Sequence, residues 1–592
     1  MKKNNKSYVS IHILSSFMVL QILVFPVEKV VAHPTVNVPI NHNVYDFVER
    51  FEARGFLSNL VHGIRPYSRK HIADILIEIR NGVDGKKIGI STIDVARLKR
   101  FEAEFAVELG EMESNTRTNR LRLGQSLYRY DAEEGALWVD LLARSRANIF
   151  DGTDERANEE IFRNGSGAKI RGELGDVVGF RASFLQTREQ GTRDYTWRYR
   201  VFQRPLEIPQ LKGEVADYHE ATGYAVFSLL GVDLLFGKDE AMWGPGPRDN
   251  LGLSHNAPSF TMLRMRSKIG KLNLVSLTGA LRPCPARRDS PICGDIASEE
   301  SYVTNGQSRI LERQKYLSGH RLEISLTPWL DLGFHELVIY GDRSIEPTYL
   351  NPFMFYWAAQ SHLGDKDNVI MGIDVDLRPM SDTRFYASYF IDDLKKAKIF
   401  SNDYANKFSI HLGAHRVDPP GFKDGDLHLE YVRIEPWIYT HKFPINTYRH
   451  FDSPLGYNLP PNSEKYGGTL RRRFPHFITF ELGVERIRHG ANFIDEEGIV
   501  RNVGGSLNYG WRPGDDRDSK EWLSGKRQKW TALTFSGSWN PWPILMVESG
   551  YQKIWPEGSV TNSHLEFDFG MENSYLNSLK RGWYIDARWG LF

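Results

Sequence analysis

The 592-residue chain carries 75 basic and 74 acidic side chains, a formal net charge of +1, so it has no cationic excess to set against a phosphate backbone. Nucleic acid is excluded as a partner. Mean hydropathy is −0.42 and the one long apolar run lies near the N-terminus, which excludes a bundle of membrane-spanning helices.

The N-terminal stretch has three parts. "MKKNNKSYVS" is a basic leader, "ILSSFMVLQILVFPV" is an apolar core, and "VVAH" brings small residues to a cut after Ala32. The apolar core is about 15 residues, short of the ~20 that a spanning helix needs. Residues 1–32 are therefore expected to be a signal peptide, with an exported protein beginning at His33.

From 33 to 110 the apolar period is helical. "NHNVYDFVERFEARG" sets Val44, Phe47, Val48 and Phe51 on one face and stops at Gly55. "YSRKHIADILIEIRNG" offers Ser68 as N-cap, then Ile72, Ile75, Leu76 and Ile79, with Gly82 as the stop. "STIDVARLKRFEAEFAVELG" places Ser91 and Asp94 as a capping box ahead of Leu98, Phe101, Phe105 and Leu109. Three amphipathic helices predict a small bundle serving as a cap or plug. "EMESNTRTNR", 111–120, is polar and unpatterned and is expected to be a linker.

From 121 to 592 the period is two, the signature of strands whose faces meet different surroundings. "IMGIDVDLRP" sets Met371, Ile373, Val375 and Leu377 against Asp374, Asp376 and Arg378. "ITFELGVER" sets Ile478, Phe480, Leu482 and Val484 against Glu481 and Glu485. "HLEFDFGMENS" sets Leu565, Phe567 and Phe569 against Glu566 and Asp568, and "KFSIHLGAH" and "DLHLEYV" repeat the pattern. A secreted β-sandwich or β-helix would have to bury such carboxylates at about several kcal/mol each. An outer-membrane β-barrel turns its oily face to lipid and its acids inward, and leaves no backbone group unpaired. The fold class is therefore all-β: a transmembrane barrel preceded by the helical bundle. The strand tally leaves 16 and 18 open. In the last strand, "GWYIDARWGLF", Asp586 and Arg588 share the parity of Phe592, which departs from the usual terminal signal with its aromatic on the apolar face.

The inward set Arg181, Asp374, Asp376, Arg378, Glu481, Glu485, Glu566 and Asp568 needs internal compensation, and Arg144, Arg146, Arg181 and Arg378 are partners by parity. The expectation is a salt-bridged lumen, with charged stretches such as "LRRRFPHF" (470–477) folding inward. Cys284 and Cys293, the only cysteines, stand nine positions apart in "LRPCPARRDSPICGD" and read as a local disulfide.

Two stretches carry site chemistry. "GKDEAMWGPGPRDNLGLSHNAPSF", 237–260, joins a rigid Gly-Pro turn to Trp243, Arg248, Asp249, Asn250, Ser254, His255 and Asn256. "EPTYLNPFMFYWAAQSHLGDKDN" offers aromatic faces and planar hydrogen-bonding groups, the combination that binds sugars: Tyr349, Asn351, Trp357, His362, Asp365 and Asn368.

"WGPGPRDNLGLSHNAPSF", "HELVIYGDRSIEPTYLNPFMFYW", "GDKDNVIMGIDVDLRP" and "YRHFDSPLGYNLPPNS", with the early "VYDFVERFEARG…RPYSRKHIADIL", resemble the capsule-assembly outer-membrane proteins called Wzi, over most of the chain. The resemblance implies an 18-stranded barrel with a filled lumen and periplasmic helices. It further implies lectin-like binding of capsular or exopolysaccharide at the cell surface. The expected partners are outer-membrane lipid, that polysaccharide and the polysaccharide export machinery, the chain acting as a monomer. No cofactor or metal is expected.

Enzyme motifs are missing. There is no G-x-S-x-G elbow and no H-E-x-x-H, and none of the 18 His has Ser two places on. A glycosidase needs one specific carboxylate pair, which alternation cannot select. The expectation is a non-enzymatic binding barrel. The rival is a porin, separated from it by whether the lumen conducts.

Overall fold

The computed structural model describes residues 35–57, 63–85, 90–110, 126–132, 134–151, 159–175, 177–191, 210–212, 215–283, 301–310, 313–395, 398, 401–451, 453–557 and 581–590. Eighteen antiparallel strands close into one barrel. The first nine are β1 Gly135–Asp151, β2 Glu159–Leu174, β3 Val178–Gly191, β4 Val215–Leu229, β5 Val232–Asp239, β6 Phe260–Ile269, β7 Leu272–Leu281, β8 Lys315–Thr327 and β9 Leu330–Gly341. The others are β10 Asn368–Met380, β11 Thr383–Asp393, β12 Lys407–Val417, β13 Gly425–Ile434, β14 Ser463–Phe474, β15 Ile478–Ala491, β16 Lys526–Trp542, β17 Leu545–Glu557 and β18 Arg581–Trp589. Each pairs with the next, and β18 returns to β1 from Trp589↔Ala143 to Arg581↔Asp151. The short strands Tyr128–Ala132 and Gln210–Lys212 lie along β1 and β4.

The two ends of the barrel differ. One carries only short turns, such as 230–231 between β4 and β5. There Leu230 (φ 54°) and Gly231 (φ 79°) both take positive φ, the twist that joins two strands through two residues. The other end carries long connections, among them 240–259, 342–367, 435–462 and 492–525.

Alternation along the strands decides which face is wet by lipid. Ile373, Leu412, Leu429, Phe480, Leu482 and Val484 point out and are exposed, while Asp374, Asp376, His411 and His415 point in and are buried. In β18, Trp583 and Ile585 are exposed and Asp586 is buried. The stretch "HLEFDFGMENS", with Glu566 and Asp568, lies outside the described residues, as do the expected leader 1–32, the expected linker 111–120, Phe592 and the cysteines Cys284 and Cys293.

Three helices lie across the short-turn end: α1 Val44–Ala53, α2 Arg69–Asp84 and α3 Thr92–Glu104. Ser68 Oγ accepts the His71 N–H, and Ser91 Oγ accepts the Asp94 N–H, so both caps form as the sequence suggests. Helix α2 does not stop at Gly82 but runs to Asp84. Gly82 is instead where Phe56 approaches, and a Cβ there would lie 2.5 Å from the Phe56 ring. Phe47, Phe51, Ile72, Leu76, Leu98 and Phe101 form the core of this bundle.

The lumen is filled from both ends. Connections 240–259 and 435–462 fold inward, so Trp243, Leu251, Leu253, Tyr439, Tyr448 and Tyr457 are buried against wall residues such as Leu337, Ile370 and Val432. From the helical end, Ile64–Arg65 enters and pairs with Met242–Trp243 as a two-stranded ribbon inside the barrel. The sequence leads to the expectation of a salt-bridged lumen. The structure has such ion pairs in one layer and an apolar layer beside it. Toward the long connections the inward positions are apolar (Leu317, Leu337, Ile339, Ile370, Val432, Ile434), and toward the short turns they are charged (Arg321, Glu323, Asp331, Asp374, Asp376, Arg378, Asp426). Nor does "LRRRFPHF" form an inward loop. It is the end of β14 and a tight turn, and Arg471 and Arg473 reach inward as wall residues.

A barrel plugged in this way should not conduct. In planar bilayers the purified protein is expected to give little or no stable ohmic current. Channels of porin size would show that the inserts leave the lumen in a bilayer.

Candidate functional site

The charged layer is built around α1. Arg50 and Arg54 are four residues apart and so share one face. Arg50 bonds Asp94 (3.1 Å), Asp418 (2.9 Å) and Asp426 (2.8 Å), and Arg54 bonds Asp94 (3.1 Å) and Asp418 (2.8 Å). Asp418 sits in the β12–β13 turn, Asp426 is the second residue of β13 and Arg473 also pairs with Asp426, so the helix is clamped to the wall. Glu52 of the same helix pairs with Arg378, which also holds Asp331 and Asp376, the last at 3.1 Å. Arg384 binds Asp376 through Nε at 2.8 Å. Glu52, Asp331 and Asp376 bring three carboxylates together, but the Arg378 and Arg384 guanidinium groups already stand among them as counter-charges.

The other inward residues find mixed partners. Asp374 pairs with Arg321, and Glu481 with Arg248 (2.6 Å) and Arg471 (2.9 Å). Glu485 lies 3.9 Å from Lys465. Arg144 and Arg146 converge on Asp586 at 2.7 and 3.4 Å. Arg181 donates to the Asn37 backbone carbonyl at 3.0 Å, where the N-terminal segment passes in front of it.

The Gly-Pro loop is held from within. Gly244 takes φ 135°, and a Cβ there would lie 2.3 Å from Asn250 Oδ1. Asn250 Oδ1 accepts the Gly246 N–H at 2.7 Å, and its Nδ2 donates back to the Gly246 carbonyl at 3.1 Å. Asp249 accepts from Ser254, Asn256 (2.9 Å) and the Asn458 N–H (2.9 Å), tying this loop to the other inserted connection. Trp243 is fully buried, packed where Gly319 leaves room in the wall. It has no face free for a sugar, which corrects its place among the expected binding residues. Arg248 has a side chain 59% exposed and is held by its pair with Glu481.

The second aromatic group lies elsewhere. Connection 342–367, with its helix α4 (Tyr356–His362), folds down over the outside of the wall. Tyr349 is buried there, its hydroxyl on Asp367 at 2.7 Å. Asn368 is buried and donates to the Asn446 carbonyl at 3.0 Å. Asn351, Trp357, His362 and Asp365 are exposed. Strand β8 separates the two groups: Gly319 meets Trp243 inside, while Ser318 and His320 point out beneath the α4 connection. The two motifs therefore form no composite site, because successive residues of one strand face opposite ways.

Among the described residues, one polar recess adjoins the insert. A cavity of about 280 Å³ lies between the β3–β5 wall, the Gly-Pro loop and the N-terminal segment at Asn37–Asn41, lined by Arg181, Ser183, Thr222, Glu240, His255 and Asn256 among others. That is near the lower end of the ~300–1,000 Å³ range of ligand pockets. Glu240 and His255 lie 3.5 Å apart. Parity of Arg181 with Ser183 points to one wall of this recess, but no sequence signal says that the loop bearing Glu240 and His255 turns inward.

Residues 143–518 match the family model described as capsule assembly protein Wzi. No curated protein sequence matches the chain. Among solved structures, the chain is similar to Wzi of Escherichia coli, described as an outer membrane protein involved in group 1 capsule assembly and a carbohydrate-binding β-barrel. Identity is 12%, with 94% of this chain and 99% of that one covered at a TM-score of 0.54. OccAB2 of Acinetobacter baumannii is 12% identical over 76% of this chain and 97% of its own, with a TM-score of 0.42. OprD of Pseudomonas aeruginosa is 11% identical over 76% and 94%, with a TM-score of 0.39.

Removing one partner from a buried ion cluster costs about 3–5 kcal/mol. Arg50→Met should therefore free the helical bundle while the barrel stays closed. The expected readout is new proteolysis within 35–110 with SDS-resistant, heat-modifiable migration retained. Unchanged protection would mean that apolar packing alone holds the bundle. Acid should act similarly. Burial works to raise the Glu104 carboxyl, but His42 at 3.0 Å and Arg69 outweigh it and lower it from 4.5 to about 2. A depressed carboxyl stabilises the fold above its unfolded value and loses that contribution as pH falls through the folded one. Protection of α3 should hold above pH 4.5 and fade toward pH 2. Replacing Glu104 by Gln should remove that dependence.

Proposed function

We propose that this chain, which belongs to the capsule assembly protein Wzi family, holds capsular or exopolysaccharide at the outer face of the outer membrane without acting on it chemically. The observation that carries this reading is the lumen filled by the chain's own inserts, meeting as the Ile64–Arg65 and Met242–Trp243 ribbon. A barrel closed in its middle has no route for solute and offers its long connections as a surface. Short turns of outer-membrane barrels face the periplasm, so residues 33–110 form a periplasmic bundle, joined by 111–120 to a barrel of 121–592. Contact with the polymer is lectin-like and made at the long-connection end. The recess by Ser183, Thr222 and Asn256 mixes hydroxyl and amide groups with apolar lining, the combination that a sugar unit needs.

A strain lacking the protein should make its polymer in normal amount but release it from the cell-bound fraction to the medium. Thr222→Trp, which fills the recess from the wall, should reproduce part of that release with the barrel still heat-modifiable. Normal retention in the Trp variant would remove the recess from the reading. Normal retention in the deletion strain, with slower uptake of small solutes, would replace the whole reading by a channel.

A further inference from the structure

The outer wall under connection 342–367 is unlike the rest of the barrel. Ser318, His320, Glu336 and Tyr340 point away from the lumen, yet all are buried, and His320 and Glu336 form a pair at 3.3 Å. The next row down the wall, Leu322–Phe334–Ile373, is ordinary belt, with Leu322 and Ile373 exposed. The polar patch is roofed by the connection itself. The Tyr356 N–H donates to Glu336 at 2.8 Å and its ring meets His320 at 4.5 Å. Tyr349 lies 5.3 Å from both Tyr340 and Tyr356, and Arg343 pins the far end through two bonds to Asp367 (2.8 and 2.6 Å).

Depth along the strand says what surrounds this roof. Glu336 is six residues above Leu330, where β9 leaves its short turn. At ~3.3 Å per residue and a tilt of ~40°, that places it about 15 Å up a lipid band about 25 Å tall. An ion pair there must be covered from hydrocarbon. The cover must itself meet lipid, and its outer surface is apolar: Leu350, Phe353, Phe355 and Trp357 are 45, 63, 67 and 49% exposed. Within 345–357 polar groups are used internally, Asn351 Oδ1 accepting the Phe353 N–H and Glu346 accepting from Thr348, while the exposed polar residues Ser361, His362, Asp365 and Lys366 lie beyond that stretch.

We propose that residues 345–357 form a flap seated in the outer leaflet, with Phe353, Phe355 and Trp357 against lipid acyl chains, continuous with the belt of the barrel. Trp357 then serves as a membrane contact and leaves sugar binding to the long-connection end.

The test is spin labelling of the full chain in phosphatidylcholine vesicles, with both native cysteines changed to Ser and single cysteines at 353 and 355. Ile373→Cys is the lipid reference and Glu497→Cys, in an exposed turn, the aqueous one. The ratio of collisions with oxygen to those with a water-soluble nickel chelate should group 353 and 355 with 373, several-fold above 497. Ratios matching 497 would overturn the proposal. So would spin–spin broadening relieved by unlabelled protein, which would seat a second copy on the flap, or immobilisation by added polymer alone. Trp357→Phe needs no label. It should lower the share of tryptophan emission quenched by bromine-tailed lipid, and an unchanged share would also count against the flap.

Discussion

An 18-stranded wall encloses more space than its own side chains can fill. Barrels of that size leave a water channel unless something else enters them. Everything specific to this molecule follows from how the chain fills its own lumen. Connections 240–259 and 435–462 come in from one end and the 35–110 segment from the other, and they meet at the Ile64–Trp243 pairing. Each insert brings backbone groups into a space without bulk water, where they must find partners. The ribbon at the meeting point, the Asn250 and Asp249 brackets and the Gly244 N–H on the Gly63 carbonyl (3.0 Å) supply them.

The two layers of the lumen do different work. The apolar layer around Trp243, Leu337 and Ile370 removes oily surface from water and supplies cohesion. The charged layer gives little net stability, since desolvating Arg50, Arg378 and Arg384 offsets most of what their partners return. What it gives is position. Arg50 is satisfied only where Asp94 of the bundle and Asp418 and Asp426 of the wall come together, so the bundle has one seat. A greasy bundle on a greasy wall would lack that constraint.

Much of this was legible in the sequence, and the reason is periodicity. Alternation through Ile373–Asp374 and Leu482–Glu481 separated the two faces of the wall, and Ser68 and Ser91 marked helix starts that form as read. What was hidden was the direction of the long connections. Trp243 and Trp357 look alike as exposed-loop aromatics in sequence, yet one is sealed inside the wall and the other lies outside it. No local pattern encodes that difference, because it depends on which cavity the strands enclose after they close. One clue was present. In "FHELVIYG", Glu336 breaks the outward apolar row of Phe334, Val338 and Tyr340, and a carboxyl on a lipid-facing row must be covered.

The strands that separate lumen from lipid thus carry a different task on each face. Inside, β8 and β9 receive Trp243 and close the middle of the barrel; outside, the same residues, shifted by one, receive Tyr349 and Tyr356. A barrel with its middle occupied and its flank roofed keeps only its two ends for exchange with anything else. The helical end is committed to the wall through Arg50, Arg54, Arg97 and Arg100, the last two on the Ile478 and Asn540 carbonyls of the wall near its short turns. Among the described residues, the long-connection end then offers a broad surface that is not committed to the bundle. That arrangement suits the proposed holding of a polymer, which never has to pass through the wall.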